Sequence, residues 1–181
     1  MTYEQITELV SGLKEKYGTS DPERLCEALD ISVLDYPMGT HEKAIKGFIL
    51  SVDGVSTITV NSDLRDPVRR IIVAHELCHA LVHCGENLCA YHELTIFDEI
   101  SQQEKEANLF AAELLLDDSD VLDALNSDTT FFNVAASLYV PVELLDFKFR
   151  IMKWKGYKLA EPPVQSRNNF LKEIKTDNVI Q

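Results

Sequence analysis

The sequence lacks any apolar run long enough to cross a membrane, and its amino terminus lacks the basic-then-apolar layout of a secretion signal. We therefore expect no transmembrane segment and a cytoplasmic location. Basic residues are also scarce, with 17 Lys and Arg against 30 Asp and Glu and a formal net charge of −13. Because nonspecific binding to nucleic acid needs a positive surface, this balance disfavours direct nucleic-acid binding by the chain as a whole.

Cysteine is sparse as well, at four residues: Cys26, Cys78, Cys84 and Cys89. Three of them fall close together, but their spacing lacks the Cys-x2-Cys pairs that structural zinc sites usually contain. A chain without an export signal is expected in a reducing compartment, where disulfides are rare. The sequence therefore predicts free thiols.

The amino-terminal part predicts two helices, over residues 3–17 and 22–29, followed by a strand over residues 31–36. Two β-branched runs then follow, GFILSV and VSTITV, joined by Asp53-Gly54. An Asp-Gly pair between alternating runs is a strong signal for a β-hairpin. Later apolar patterns predict further helices up to about residue 154.

These elements predict an α+β fold, in which a small antiparallel or mixed sheet packs on two central helices in a zincin-like arrangement. We expect a main unit over residues 1–126 that includes the amino-terminal helical pair. A carboxy-terminal helical pair over residues 127–160 is expected to pack on it. Residues 161–181 are polar, contain Pro162-Pro163, and are expected to form a tail.

A buried helix is predicted to begin at Asp66-Pro67 and to end before Gly85. It carries His75, Glu76 and His79 within the run AHELCHALVH, and its other residues are apolar on nearly every side. Two histidines four residues apart project from one helix face, so both imidazoles can reach a single metal ion. Glu76 is rotated about 100° from His75, which places it beside that ion as a candidate general base.

HExxH is a short pattern, and the ordinary alternative is a pair of solvated histidines on a charged helix face. The apolar neighbours argue against this alternative, because burying such polar groups without partners would cost several kcal/mol. A bound zinc ion removes that cost and lowers the pKa of a water molecule towards neutrality. The pattern therefore favours a zinc-dependent hydrolase that uses activated water.

A zinc site of this type needs a third protein ligand. The predicted helix after Ser101 offers Glu104, Glu106 and Glu113. Ser101 and Glu104 form a capping-box pattern, which would occupy Glu104 at the helix start. Glu113 lies two turns after Glu106 on the same face, so the residues alone give Glu106 only a modest lead.

The run HELCHALVH, followed about twenty residues later by EANLFAAELL, resembles the ImmA/IrrE family of metallopeptidases. The resemblance implies a gluzincin-like site with His75, His79 and Glu106 as zinc ligands and Glu76 as general base. It also implies a protein substrate, a helix-turn-helix DNA-binding repressor from a phage, mobile element or stress regulon. The chain departs from the family at Cys78, where members usually have glycine.

Three further residues are candidates for supporting roles near the metal: Cys78, Glu113 and His83. Cys78 is expected to be a small buried hydrophobe, with an inhibitory ligand as the alternative. Donors for the oxyanion that forms during peptide hydrolysis are candidates by residue type alone, namely His83, Tyr91, His92 and Tyr139.

Two alternative functions remain open from the sequence. The first is a regulator that holds zinc and binds a repressor without cleaving it. The second is a nucleic-acid-binding module that uses the basic, aromatic segment KFRIMKWKGYK at residues 148–158. The commoner interpretation of that segment is an amphipathic helix whose lysines are solvated.

Overall fold

The computed structural model of the chain describes residues 1–41, 44–84, 101–126 and 130–163, together with the backbone of residues 89–91. Within these residues no helix is long and apolar enough to span a membrane. The elements in chain order are α1 (Tyr3–Tyr17), α2 (Pro22–Ala28), β1 (Ser32–Tyr36), β2 (Gly47–Val52), β3 (Val55–Asn61), α3 (Asp66–Cys78), a π-helical turn (His79–His83), β4 (Cys89–Tyr91), α4 (Gln102–Leu115), α5 (Asp118–Leu125), α6 (Phe131–Ser137) and α7 (Val142–Trp154).

The strands form one mixed sheet in the order β1-β3-β2-β4. Strand β1 runs parallel to β3, and β2 runs antiparallel to both β3 and β4. The predicted hairpin is confirmed: Val52 pairs with Val55 across the turn, and Asp53 and Gly54 have φ angles of 50° and 79°. Positive φ at both central residues is what a two-residue turn between twisted strands requires. The α+β class is confirmed with it.

Helix α3 lies directly on the sheet, on the face where Ile49, Ile58 and Val60 are fully buried. Gly47 sets how closely the two can approach. A β-carbon at this position would lie 2.4 Å from Cγ2 of Ile72, which is shorter than any real contact of this kind. The absence of a side chain at Gly47 therefore lets α3 seat on the sheet, and this contact positions the residues that follow on α3.

Helix α4 packs on α3. Ala107, Ala111 and Ala112 are all fully buried, and their small side chains allow the two helix axes to lie close together. Helix α7 in turn packs on α4, and Trp154 at its end stacks on Tyr3 of α1 with ring centroids 6.1 Å apart. The division of the chain into separate units stays a prediction, and residues 164–181 lie outside the described part.

A buried ion cluster holds α7 against the end of α4. The ammonium of Lys148 lies 2.6 Å from both Glu113 and Asp118, and its side chain is only 2% exposed. Lys155 lies 2.7 Å from Glu113 and 2.8 Å from Asp118. Two ammonium groups and two carboxylates therefore balance each other where α4, α5 and α7 meet. This arrangement satisfies charges that would be costly to bury singly.

We expect Lys148→Met to lower the free energy of unfolding by about 3 kcal/mol, because it leaves the buried carboxylate of Glu113 and the partly exposed carboxylate of Asp118 facing one ammonium group. Lys153→Met is the matched control on the same helix. Lys153 pairs with Glu161, which is 88% exposed, so its replacement should change stability by no more than about 0.5 kcal/mol. Urea denaturation monitored by circular dichroism measures both values. Equal losses of unfolding free energy in the two variants would show that the ion cluster stabilises the fold no more than an exposed ion pair does.

Candidate metal centre

The centre is built on the junction between α3 and the π-helical turn. His75 lies in the last turn of α3, and His79 is the first residue of the π-helical turn. The four-residue spacing places both rings on one face, with their Nε2 atoms 3.1 Å apart. The two residues are 4% and 1% exposed, so this pair of nitrogens lies in the interior. The sequence predicted a single helix here, but its backbone changes from α-helical to π-helical hydrogen bonding at His79. Such π-helical turns are often found at functional sites.

The carboxylate that meets these nitrogens belongs to Glu104. Its oxygens lie 3.2 Å from Nε2 of His75 and 3.4 Å from Nε2 of His79. Half of the predicted capping box is present, since the hydroxyl of Ser101 accepts a hydrogen bond from the backbone N–H of Glu104. The Glu104 side chain turns to the histidines instead of completing the box. The structure therefore brings Glu104 to the histidines, where the sequence-based choice was Glu106.

The spacing of the two histidine nitrogens fits a tetrahedral metal ion. Two ligand atoms that each lie about 2.0–2.1 Å from such an ion are about 3.3 Å from one another, and the two Nε2 atoms are 3.1 Å apart. Each nitrogen lies next to a different oxygen of Glu104, with Oε2 3.2 Å from His75 and Oε1 3.4 Å from His79, so the carboxylate faces both rings. Within the described residues, these three also form the one group of His, Cys, Asp and Glu side chains whose ligand atoms converge in this way. Two imidazoles and a carboxylate are a donor set that zinc prefers.

Burial and the Glu104 carboxylate together set the protonation of the centre. Burial lowers the pKa of His79 to about 4, although the hydrogen bond with Glu104 opposes the change. Burial also disfavours the charged form of His75, but the hydrogen bond and charge of Glu104 outweigh it and raise the pKa of that ring. Glu104 itself loses solvation, yet its contacts with both histidines hold its pKa well below the usual range. The carboxylate is therefore ionised, as a metal ligand must be.

The second ring nitrogen of His75 has a partner that the sequence reasoning missed. Nδ1 of His75 lies 3.0 Å from Oδ1 of Asn108, a fully buried residue of α4. Because an amide oxygen only accepts, Nδ1 carries a proton, which leaves Nε2 of the neutral ring as the atom that would bind a metal. Metal-binding histidines commonly have such a partner. The signal was available in the sequence, because Asn108 lies one helical turn after Glu104.

Glu106 lies behind the histidines, against His83. Its Oε2 is 3.0 Å from Nε2 of His83, and its Oε1 contacts the amide of Gln102 and the amino group of Met1. Burial tends to raise the pKa of Glu106, but these contacts outweigh it and lower the pKa to about 2. Nδ1 of His83 lies 2.9 Å from Nδ1 of His79. His83 and Glu106 therefore follow His79 in a line that leads away from the Nε2 atoms.

Glu76 is buried at the same end of α3, 7% exposed and next to His75 in the chain. Cys78, also on this turn, is fully buried. Burial raises the pKa of the Cys78 thiol, and the negative charge of Glu106 adds to the effect. A metal ligand must be a thiolate, so the raised pKa favours the packing role for Cys78.

The remaining candidates lie elsewhere or outside the described part. The carboxylate of Glu113 faces Lys148 and Lys155 in the ion cluster. Tyr139 is 73% exposed at the end of α6. The side chain of Tyr91 and all of His92 lie outside the described residues. The oxyanion donor therefore stays without an assignment among the described residues.

Comparison with known proteins places this chain in a family. Residues 26–150 match the family model Peptidase_M78, described as the IrrE N-terminal-like domain. The chain is also 36% identical over 146 residues to an uncharacterized immunity region protein 2 of Bacillus phage phi105. That match covers 81% of this chain and 90% of the phage protein. Helices α3 and α4, with all the residues of the centre, fall inside both the matched region and the described structure. The chain therefore belongs to the Peptidase_M78 family of ImmA/IrrE-type metallopeptidases, as its two helix motifs had indicated.

Proposed function

We propose that the chain is a zinc-dependent endopeptidase, with His75, His79 and Glu104 as the protein ligands. The observation that carries the proposal is the convergence of two buried Nε2 atoms and one carboxylate at 3.1–3.4 Å. Three protein ligands leave one tetrahedral position for water or substrate, which distinguishes catalytic zinc sites from closed structural ones. Bound there, zinc would polarise the scissile carbonyl group and make a water molecule acidic enough to attack at neutral pH.

Glu76 acts as the general base in this proposal. It follows His75 directly on α3, so its side chain leaves the helix about 100° away from the ligand direction and flanks the centre. Its carboxylate takes the proton of the attacking water and passes it to the nitrogen of the departing amine. Burial of the centre excludes competing solvent and strengthens each of these electrostatic interactions.

The proposed substrate is a helix-turn-helix DNA-binding repressor. Support comes from the relative whose name places it in a phage immunity region. The net charge of −13 also suits a basic partner, because opposite charge speeds encounter between two proteins. Site-specific cleavage of such a repressor would relieve repression of the genes that it controls.

The basic segment at residues 148–158 offers little support for the nucleic-acid alternative. Lys148 and Lys155 face Glu113 and Asp118, so their charges are balanced within the protein. Lys153 contacts Glu161. Three of the lysines that made this segment look basic are thus paired with carboxylates.

The function is tested by mixing the zinc-loaded protein with helix-turn-helix proteins encoded by the neighbouring reading frames. We expect one or a few defined cleavage products, identified by mass spectrometry of the fragments. Glu76→Gln keeps the shape and the ligands but removes the base. Cleavage should therefore fall by at least about a hundredfold while one zinc per chain is retained. Tight binding of an intact repressor by the wild-type protein would instead favour the non-proteolytic regulator.

The choice of Glu104 as third ligand gives a second prediction. Glu104→Gln removes the anionic ligand with little change in volume, so we expect zinc affinity to fall by more than about a hundredfold. Glu113→Gln is the matched control, because it changes a buried glutamate of the same helix that faces lysines. Competition with a chromophoric chelator measures both dissociation constants. Wild-type affinity in Glu104→Gln would remove Glu104 from the ligand set.

A further inference from the structure

We infer that His83 and Glu106 form a relay behind His79, which holds His79 in the tautomer and orientation that metal binding needs. The inference rests on the proposed zinc site. The observation behind it is a continuous line of hydrogen-bonded, buried side chains, formed by His79, His83 and Glu106. Nδ1 of His79 meets Nδ1 of His83 at 2.9 Å, and Nε2 of His83 meets Oε2 of Glu106 at 3.0 Å. The side chains of His79, His83 and Glu106 are 1%, 4% and 7% exposed.

With His83 neutral, one arrangement of protons satisfies every contact in this line. An ionised carboxylate only accepts, so Nε2 of His83 must donate to Glu106. A neutral imidazole carries one proton, so Nδ1 of His83 is then an acceptor. Nδ1 of His79 must therefore donate to it, which leaves a lone pair on Nε2 of His79. This Nε2 atom lies 3.1 Å from Nε2 of His75 and 3.4 Å from Oε1 of Glu104, so its lone pair is available to the proposed metal ion.

The relay gives His79 what Asn108 gives His75. In both ligands Nδ1 donates to a buried acceptor and Nε2 is presented to the metal, but the acceptors are chemically different. Asn108 is an amide that accepts directly. His83 is itself a ring with two tautomers, so it accepts at Nδ1 only while its other nitrogen donates to Glu106. Glu106 is therefore the residue that decides the tautomer of both rings.

Local structure explains how these side chains meet. The π-helical turn is closed by a hydrogen bond from the backbone N–H of Cys84 to the carbonyl of His79, 2.9 Å long. Across this turn the rings of His79 and His83 lie with centroids 4.8 Å apart. From α4, the amide of Gln102 donates to Oε1 of Glu106 at 3.0 Å, which holds the carboxylate in place. The widened turn and the first turns of α4 thus build the relay together.

The relay is tested by zinc affinity and by nitrogen NMR of the histidine side chains. His83→Phe removes the acceptor, and Glu106→Gln removes the charge that fixes the His83 proton. Residues that orient a metal ligand typically contribute ten- to hundredfold to affinity, so we expect each variant to weaken zinc binding by about that factor. The double variant should bind zinc no more weakly than the single variant with the lower affinity, because both substitutions break the same line of hydrogen bonds. Glu113→Gln, a buried glutamate elsewhere on α4, should bind zinc as the wild type does.

NMR of the metal-free protein gives a readout that does not depend on zinc. We expect His79 to be the Nδ1–H tautomer in the wild type and a mixture of tautomers in Glu106→Gln. An Nε2–H tautomer in the wild type, or unchanged zinc affinity in both variants, would overturn the relay. Complete loss of zinc in Glu106→Gln, equal to that of His75→Ala, would make Glu106 a ligand and overturn it as well. A wild type that binds no zinc would overturn the proposed function, while the tautomer result would still decide the relay.

Discussion

A buried histidine needs a partner for each of its two ring nitrogens, because an unsatisfied polar group in the interior costs about 1–3 kcal/mol. Two such rings, His75 and His79, lie one turn apart at the centre of this protein. Their Nδ1 atoms meet Asn108 and His83, and their Nε2 atoms meet each other and Glu104. The two Nε2 nitrogens and the carboxylate need a cation between them, which is a proton on one ring in the metal-free protein and the metal ion in the proposed centre.

Helix α4 carries most of the side chains that meet this requirement, and both of its ends are held in place. Its alanines allow close packing on α3, which Gly47 in turn allows to approach the sheet. At its carboxy-terminal end, Glu113 lies in the ion cluster with Lys148 and Lys155. At its amino-terminal end, Glu104 lies among the histidines. Contacts at both ends therefore hold α4 against its neighbours.

Sequence reasoning succeeded where one local rule decides the outcome. The Asp53-Gly54 turn requires two positive φ angles, and the spacing of His75 and His79 follows from the helical repeat. It was insufficient at Glu104, where two roles compete for one side chain. A capping box would draw that carboxylate back to the helix start, whereas the histidines draw it across to α3. Only the packing of α4 on α3 shows that the Glu104 carboxylate turns to the histidines.

The change to a π-helical turn at His79 was also beyond sequence reasoning, because the apolar pattern of an α-helix continues through it. This change turns the predicted HExxH helix into a centre with a third histidine behind it. X-ray absorption spectroscopy at the zinc edge of the loaded protein tests the account most directly. We predict two histidine nitrogens and carboxylate or water oxygen at about 2.0–2.2 Å, with no sulfur at about 2.3 Å. A sulfur neighbour, or a single histidine, would contradict the centre described for this protein.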